Sequence, residues 1–460
     1  MRRLAVVGLL ISFCAANAAA QPRGRNIYEE QLRASLDGRI PDAREEGLDA
    51  GGSFNFAFLD YEDSTRHDRT LRQFQLRLWA SWNYRGIHRA YFRGLMLGND
   101  WNKGDNPRFS GDDFDLELER LWYQFDLGRY MLLSNGQVPT IGLKAKVGRQ
   151  FMVLGTALTL STTLDAVKLD ARAGQLEIMT FVGQTARHSH NIDISPAVEY
   201  RQERLMFGGQ ITCTAMDHHR PFVYFLGNRD NTHPKFRFRQ EYGYDSNYVG
   251  LGSSGVIYLP ALRYSFETVG QWGDTYSAGA TTSKDDIEAM ALDFQLEYVF
   301  NDPHESRIGF EYLFASGDAD RGNAVSTVGG NRAGTRDHAF NAFGYRDMGI
   351  AFSPAISNIH MYALDGSIFP LKDVKCLEQL EIGNRFYFYG RHQDRGGISD
   401  STTTTNSGWL GWEWDVYCNW RLTSDLALTA RYGIFSPGSA WDGGDKSTRH
   451  ALYFGVNYSF

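Results

Sequence analysis

Arginine and carboxylate side chains hold most of the chemistry open to this chain, and they recur at alternate positions inside strongly aromatic segments. Arg77, Arg89, Arg93, Arg120, Arg263, Arg307, Arg385, Arg421 and Arg431 all fall on the polar parity of such segments. A guanidinium stays charged and pairs a carboxylate through two parallel hydrogen bonds. A set of them facing water therefore favours anions. Glu177, Glu267, Asp293, Glu297, Glu311, Glu381, Glu413 and Asp415 share that parity. Three roles are open to the acids: steering the arginines, forming a separate cationic lane, or building ion-pair ladders that hold strand register.

No catalytic constellation accompanies these charges. His188, His190, His218 and His219 are present and serines are plentiful, but nucleophile-elbow, zinc-helix and phosphate-loop patterns are absent. Asp112, Asp113 and Asp115, or Asp442 and Asp445, could hold calcium, since clustered carboxylates suit hard cations. They lack a loop signature, and exposed acidic turns are the commoner reading. No cofactor or metal is expected.

The elements that must position the charges are strands. Phe74, Leu76, Leu78, Trp82 and Tyr84 alternate with Gln73, Gln75, Arg77, Ser81 and Asn83. Segments 290–300, 410–422 and 426–434 repeat the pattern, as does the last, where Leu452, Phe454, Val456, Tyr458 and Phe460 share one face. Eighteen such segments are predicted, at 51–61, 69–84, 87–97, 115–127, 141–150, 164–173, 174–184, 204–214, 219–227, 246–253, 259–271, 286–300, 305–317, 357–371, 376–391, 409–422, 425–435 and 449–460. A soluble sandwich also alternates. Two features favour a membrane barrel instead. Trp409, Trp412, Trp414, Tyr417 and Trp420 crowd one strand, as at a membrane–water boundary. Connections also alternate short and long, as in barrels with short periplasmic turns and long extracellular loops. The predicted fold class is all-β, a transmembrane antiparallel β-barrel of about 18 strands. Segment 128–140 is long for a periplasmic turn. The longest loop, 318–356, either folds inward as a constriction or lid, or stands in solvent as a flap.

The leading residues, positive at Arg2 and Arg3, then apolar, then small before Gln21, predict a secretory signal cut near Ala20. Residues 21–50 read as a loose periplasmic arm and 51–460 as the barrel. Mean hydropathy is −0.39, so apolar content must hide in alternation. A net charge of −7 gives no reason to expect a nucleic-acid partner. Cys213, Cys376 and Cys418, odd in number and widely spread, argue against a disulfide framework.

Five pieces in order resemble the alginate export family, eighteen-stranded outer-membrane porins that release anionic uronic-acid polysaccharide. They are Arg77-Leu-Trp-Ala-Ser-Trp, Leu118-Glu-Arg-Leu-Trp-Tyr-Gln-Phe, Gly148-Arg-Gln150, Ile356-Ser-Asn358 and Arg431-Tyr-Gly-Ile-Phe-Ser-Pro-Gly-Ser-Ala-Trp441. The likeness runs over most of Gly51–Phe460. It implies an arginine-rich pore ring to which Arg77, Arg120, Arg149 and Arg431 belong, with Arg336 or Arg346 as further members. Strict parity from Ile141 points Arg149 outward unless a bulge intervenes. Thr429 replaces an expected arginine, and Thr423-Ser424 replaces the family's long gating turn. The implied function is passive export or diffusion of an anionic polysaccharide or oligosaccharide. Implied partners are that cargo, outer-membrane lipid, the barrel-assembly machinery and periplasmic polysaccharide secretion proteins. A nutrient-uptake porin with other cargo, and an outer-membrane hydrolase, are the alternatives.

Overall fold

Alternating segments with one apolar face bury their backbone polar groups only by pairing with each other, and here they pair all the way round. The computed structural model describes residues 46–106, 113–136, 139–186, 203–231, 243–258, 261–276, 284–322 and 330–460. The expected signal, most of the expected arm, Asp112, His188 and His190 lie outside them. The strands are β1 (Glu46–Glu62), β2 (Asp68–Tyr84), β3 (His88–Trp101), β4 (Asp113–Asp126), β5 (Ile141–Leu154), β6 (Leu160–Ala173), β7 (Leu176–Thr185), β8 (Arg204–Cys213) and β9 (His219–Asp230). The second half comprises β10 (Tyr244–Val256), β11 (Leu262–Tyr276), β12 (Lys284–Val299), β13 (Arg307–Ala315), β14 (Ile359–Ile368), β15 (Leu380–Gly390), β16 (Trp409–Arg421), β17 (Leu426–Pro437) and β18 (Arg449–Ser459).

Each strand runs antiparallel to its sequence neighbours, and β1 closes on β18 from Ser53↔Ser459 to Tyr61↔Ala451. Gly52 and Phe460 exchange both backbone hydrogen bonds at 2.9 Å. All eighteen expected segments are strands of this closed sheet. Most boundaries shift by a few residues, and two departures bear on the domain reading. Glu46–Ala50, assigned to the arm, are the start of β1 and pair with Tyr84–Ala80 of β2. The long turn 128–140 contains the helix α1 (Leu127–Asn135). No helix among the described residues is long and apolar enough to cross a membrane.

The two faces have opposite character. On β2, Phe74, Leu78 and Trp82 are exposed outward, whereas Gln73, Gln75, Arg77 and Ser81 are buried inward. On β16, Trp412 and Trp414 face out while Glu413 and Asp415 are fully covered. Apolar outside and polar inside is the pattern a lipid-embedded barrel requires.

The lumen is not an empty tube at its long-loop end. The β5–β6 hairpin tip leans inward, leaving Ala157, Leu158, Thr159 and Leu160 fully buried. The loop joining β13 to β14 folds in to meet it. Tyr345 N–H donates to Ala157 O (3.0 Å), Phe343 N–H to Thr159 O (2.8 Å), and Ser161 N–H to Phe343 O (2.9 Å). Phe340 and Phe343 set their edges against Tyr248, and Phe352 stacks on Phe435 at 4.2 Å. Of the two readings of the longest loop, the inward one describes it.

The lean begins where β4 and β5 part. Their pairing runs from Asp126↔Lys144 only to Leu121↔Arg149. Gly148, beside that point, has φ +121°, and a Cβ there would collide with the Leu121 carbonyl. Replacing it with a branched side chain adds backbone strain of about 1–3 kcal/mol. Gly148→Val is therefore expected to lower the urea midpoint of the refolded barrel, read as loss of its heat-modifiable gel mobility; an unchanged midpoint would contradict this account of the hairpin.

Candidate functional site: a charged lumen

The inward charges divide by wall. On β10–β17, acids predominate: Glu267, Asp293, Glu311, Glu413 and Asp415 are buried. Arg385 meets the Glu311 carboxylate, and Arg307 meets Glu381 while donating to Ser367 Oγ at 2.5 Å. Arg431 donates to Asp415 (2.6 Å), to the Tyr387 hydroxyl (3.0 Å) and to both oxygens of Asp347 (3.1 Å each). Guanidinium groups covered to this degree persist only when paired and hydrogen-bonded.

Asp347 belongs to the inward loop, so the Arg431 pair ties loop to wall. Its neighbour Arg346 donates to Asp293 at 2.7 and 3.0 Å and to Thr156 O at 2.6 Å. One residue thus joins wall, loop and hairpin tip. The Glu413 carboxylate accepts the Ala351 and Phe352 N–H groups at 2.7 and 2.8 Å. Gly349 makes that approach possible, since its φ is +84° and a Cβ would strike the carboxylate. Tyr389 and Tyr248 hydroxyls donate to Met348 O (2.8 Å) and Asn341 O (2.6 Å). Burial works to raise the Asp347 carboxyl, but the Arg431 and Arg385 guanidiniums outweigh it and hold it below its ordinary range.

On β2–β6 the balance reverses. Arg77 and Arg93 share one carboxylate, Glu119, at 3.2 and 2.8 Å. Arg89 and Arg120 stand on the same wall, with Glu117 and Asp115 continuing the inward row of β4 outward of Glu119. Glu119 and Arg120 both turn inward because β4 bulges there: Arg93 pairs Arg120 while Gly94 pairs Leu118. Nearer the short-turn end, Lys146 and Lys168 sit directly opposite each other across β5 and β6. Lys168 reaches Asp170 at 3.1 Å, and Lys146 lies 4.0 Å from the centre of the Trp122 ring. Like charges placed opposite one another destabilise a strand pair; an anion between them relieves that.

Of the residues expected to line the pore, Arg77, Arg93, Arg120 and Arg431 are buried inward, and Arg385 is inward and half-buried. Arg89 is inward and partly covered. Arg421 is inward at the short-turn mouth, where it caps the turn by donating to Thr423 O and Ser424 O (3.3 Å each). Arg263 is at the same mouth with Glu297, 3.4 Å away. Arg149 is a correction. It points outward, bidentate to Asp165 at 2.8 and 2.8 Å, with Nη1 on the Leu118 carbonyl at 3.0 Å. β5 keeps strict parity through it, because the bulge lies on β4 instead. Arg120 fills the seam between the strands, covered by Phe151 and bonded to Thr163 Oγ1 at 2.5 Å. Of the two further candidates, Arg346 is in the lumen and Arg336 is at the outer rim on Glu288 (2.6 Å). Thr429 is buried on Asn419.

Several participants were not anticipated. Lys146 and Lys168 were signalled by the polar parity of β5 and β6. Glu119 was hidden by the bulge, and the hairpin tip by its apolar sequence. Asp442 and Asp445, considered for calcium, take Lys446 (2.5 Å) and Arg66 (3.4 Å) as partners. His219 bonds the Tyr264 hydroxyl at 3.0 Å, and His218 forms its turn. Among the described residues no group of three or more potential ligands could hold a metal ion.

Solved structures share this architecture. The chain is similar to Pseudomonas aeruginosa OccK5 (OpdH), with 11% identity, 90% of this chain and 98% of that one covered and a TM-score of 0.51. It is also similar to Pseudomonas aeruginosa OpdL (14%, 90% and 98%, 0.52) and Acinetobacter baumannii OccAB1 (10%, 90% and 96%, 0.55). At such identities the likeness shows the fold alone. No curated protein matches this sequence. The alginate export family model matches residues 105–454. A match over most of the chain, on a closed eighteen-stranded barrel with a lipid-facing exterior, makes this protein a porin-like channel of the bacterial outer membrane and a member of the alginate export family.

Proposed function

We propose that this porin passes anionic saccharides of the uronate class along the basic wall of its lumen. The observation that carries the reading is the pair Arg77 and Arg93 on Glu119, with Arg89 on the same wall, continued by the opposed Lys146 and Lys168. Carboxylates spaced along a polymer can exchange between such cations one at a time. Each contact is weak and the path holds several, which lets the cargo leave. The acidic wall excludes anions from its own side and anchors the inward loop.

The loop is the barrier on this path, held by Arg431–Asp347, Arg346–Asp293 and the amides on Glu413. A second reading, uptake of small anionic solutes, is favoured by the hairpin tip and loop together narrowing the long-loop half. Block of current by oligouronates of increasing length separates the two: export of a polymer requires block to strengthen with length.

Two outcomes follow in planar bilayers. The wild type is expected to be anion-selective, and Lys146→Glu with Lys168→Glu to move selectivity toward cations by roughly tenfold at low salt. Unchanged selectivity in that variant would contradict a basic path. The Asp347 carboxyl is held below its ordinary value, so its ionised form stabilises the docked loop fully above about pH 4. That contribution falls away as pH drops through the depressed value. Larger conductance steps are expected to appear on acidification below pH ~4, and at neutral pH in Asp347→Asn. Identical steps in variant and wild type at both pH values would rule out the Arg431–Asp347 anchor.

A further inference from the structure

One short-end turn is built unlike the others. β16 and β17 are joined by four residues, Leu422–Asp425, whereas β4 and β5 are joined through α1. The helix is properly ended: the Asp126 side chain accepts the Arg129 N–H at 2.9 Å, and Gly136 (φ 68°) donates to Leu132 O at 3.0 Å. Yet no residue of it is buried, and Tyr130 and Leu133, one turn apart, are 46% and 49% exposed. A nine-residue helix is marginal alone in water, so this one needs a surface.

The surface lies next to it. Trp82, Tyr84 and Tyr123 are exposed on the lipid-facing side of the barrel at this end. Rings run on from them without a gap. Tyr84 lies 6.2 Å from His88, His88 5.4 Å from Phe125, and Phe125 6.0 Å from Tyr130 of the helix. The apolar face of α1 is therefore continuous with the aromatic girdle that marks the membrane–water boundary. Two guanidiniums edge the same patch. Arg85 sits over the Tyr84 ring with its side chain 58% exposed and its Nε on Glu46 at 3.1 Å, and Arg129 Nε donates to the Arg85 carbonyl at 3.4 Å.

We propose that α1 is an in-plane anchor in the periplasmic leaflet, with Tyr130 and Leu133 at the acyl boundary and Arg85 and Arg129 on anionic phospholipid headgroups. Apolar area and basic charge side by side are what such an interfacial helix needs. The anchor fixes barrel depth at the seam side, where β4 and β5 share the fewest paired residues. It does not depend on the nature of the cargo.

The test uses the full chain with Cys213→Ala, Cys376→Ser and Cys418→Ala, labelled with bimane at Leu133→Cys, or at Asn135→Cys as the water-facing control. Each is reconstituted in vesicles of phosphatidylcholine and phosphatidylglycerol, with bromine on the acyl chains of one or the other. Quenching is expected at 133 and not at 135, stronger when the brominated lipid is phosphatidylglycerol. Arg85→Glu with Arg129→Glu should remove that preference, by about fivefold per arginine. No quenching at 133, as for a helix that docks on a periplasmic protein instead, would overturn the anchor. Quenching without preference for the anionic lipid would overturn the headgroup contact. Labelling at Tyr130→Cys gives the same readings should Leu133→Cys fail to fold.

Discussion

Hydrocarbon offers backbone N–H and C=O groups no partner, so a sheet that crosses a membrane must close on itself. The Gly52–Phe460 bonds and the β1–β18 register complete that closure, and the rest of the molecule depends on them. Once the sheet is a cylinder, each strand has one face in lipid and one in the lumen. Apolar rows such as Phe74, Leu78 and Trp82 must go out, and ionisable side chains must go in. Arg149 with Asp165, a charged pair displaced from the lumen, satisfies itself in a bidentate bridge and mends the seam by bonding the Leu118 carbonyl.

Inside, covered charges need partners, and the two walls meet that need differently. The acidic wall takes its partners partly from the inward loop, through Arg346 and the N–H groups on Glu413. Loop docking and wall neutralisation are thus one event. The basic wall has Glu119 between Arg77 and Arg93, and opposes Lys146 to Lys168, the arrangement on which the proposed path rests. In the proposed function, holding the loop and attracting the cargo fall to opposite walls, while Arg431 serves both the wall acid Asp415 and the loop acid Asp347.

Much of this was legible because period-two alternation survives wherever one face meets lipid. The parity of β2, β12, β16 and β17 placed Arg77, Asp293, Glu413, Asp415 and Arg431 inward correctly. Elsewhere the pattern is silent or misleading, for physical reasons. A bulge adds one residue without changing composition, so Glu119 beside Arg120 could not be seen. The hairpin tip Ala157–Leu160 is buried against protein, and a short apolar run reads the same in a core as in a wall. For Arg149 parity and family likeness disagreed, and parity described the side chain, since motif position constrains the backbone more firmly than the direction of a residue at a seam. The partners of Arg346, Asp293 on β12, Glu311 on β13 and Thr156 in the hairpin turn, lie far apart in sequence, beyond any local signal.

In the proposed function, a closed, lipid-facing barrel lets anionic saccharides through along one basic wall. Swelling of liposomes holding the refolded protein measures this most directly, with a uronate trisaccharide and a neutral trisaccharide of equal size as paired solutes. Faster entry of the uronate, with the difference lost at high salt, is the predicted result. Equal rates, or faster entry of the neutral sugar, would contradict it.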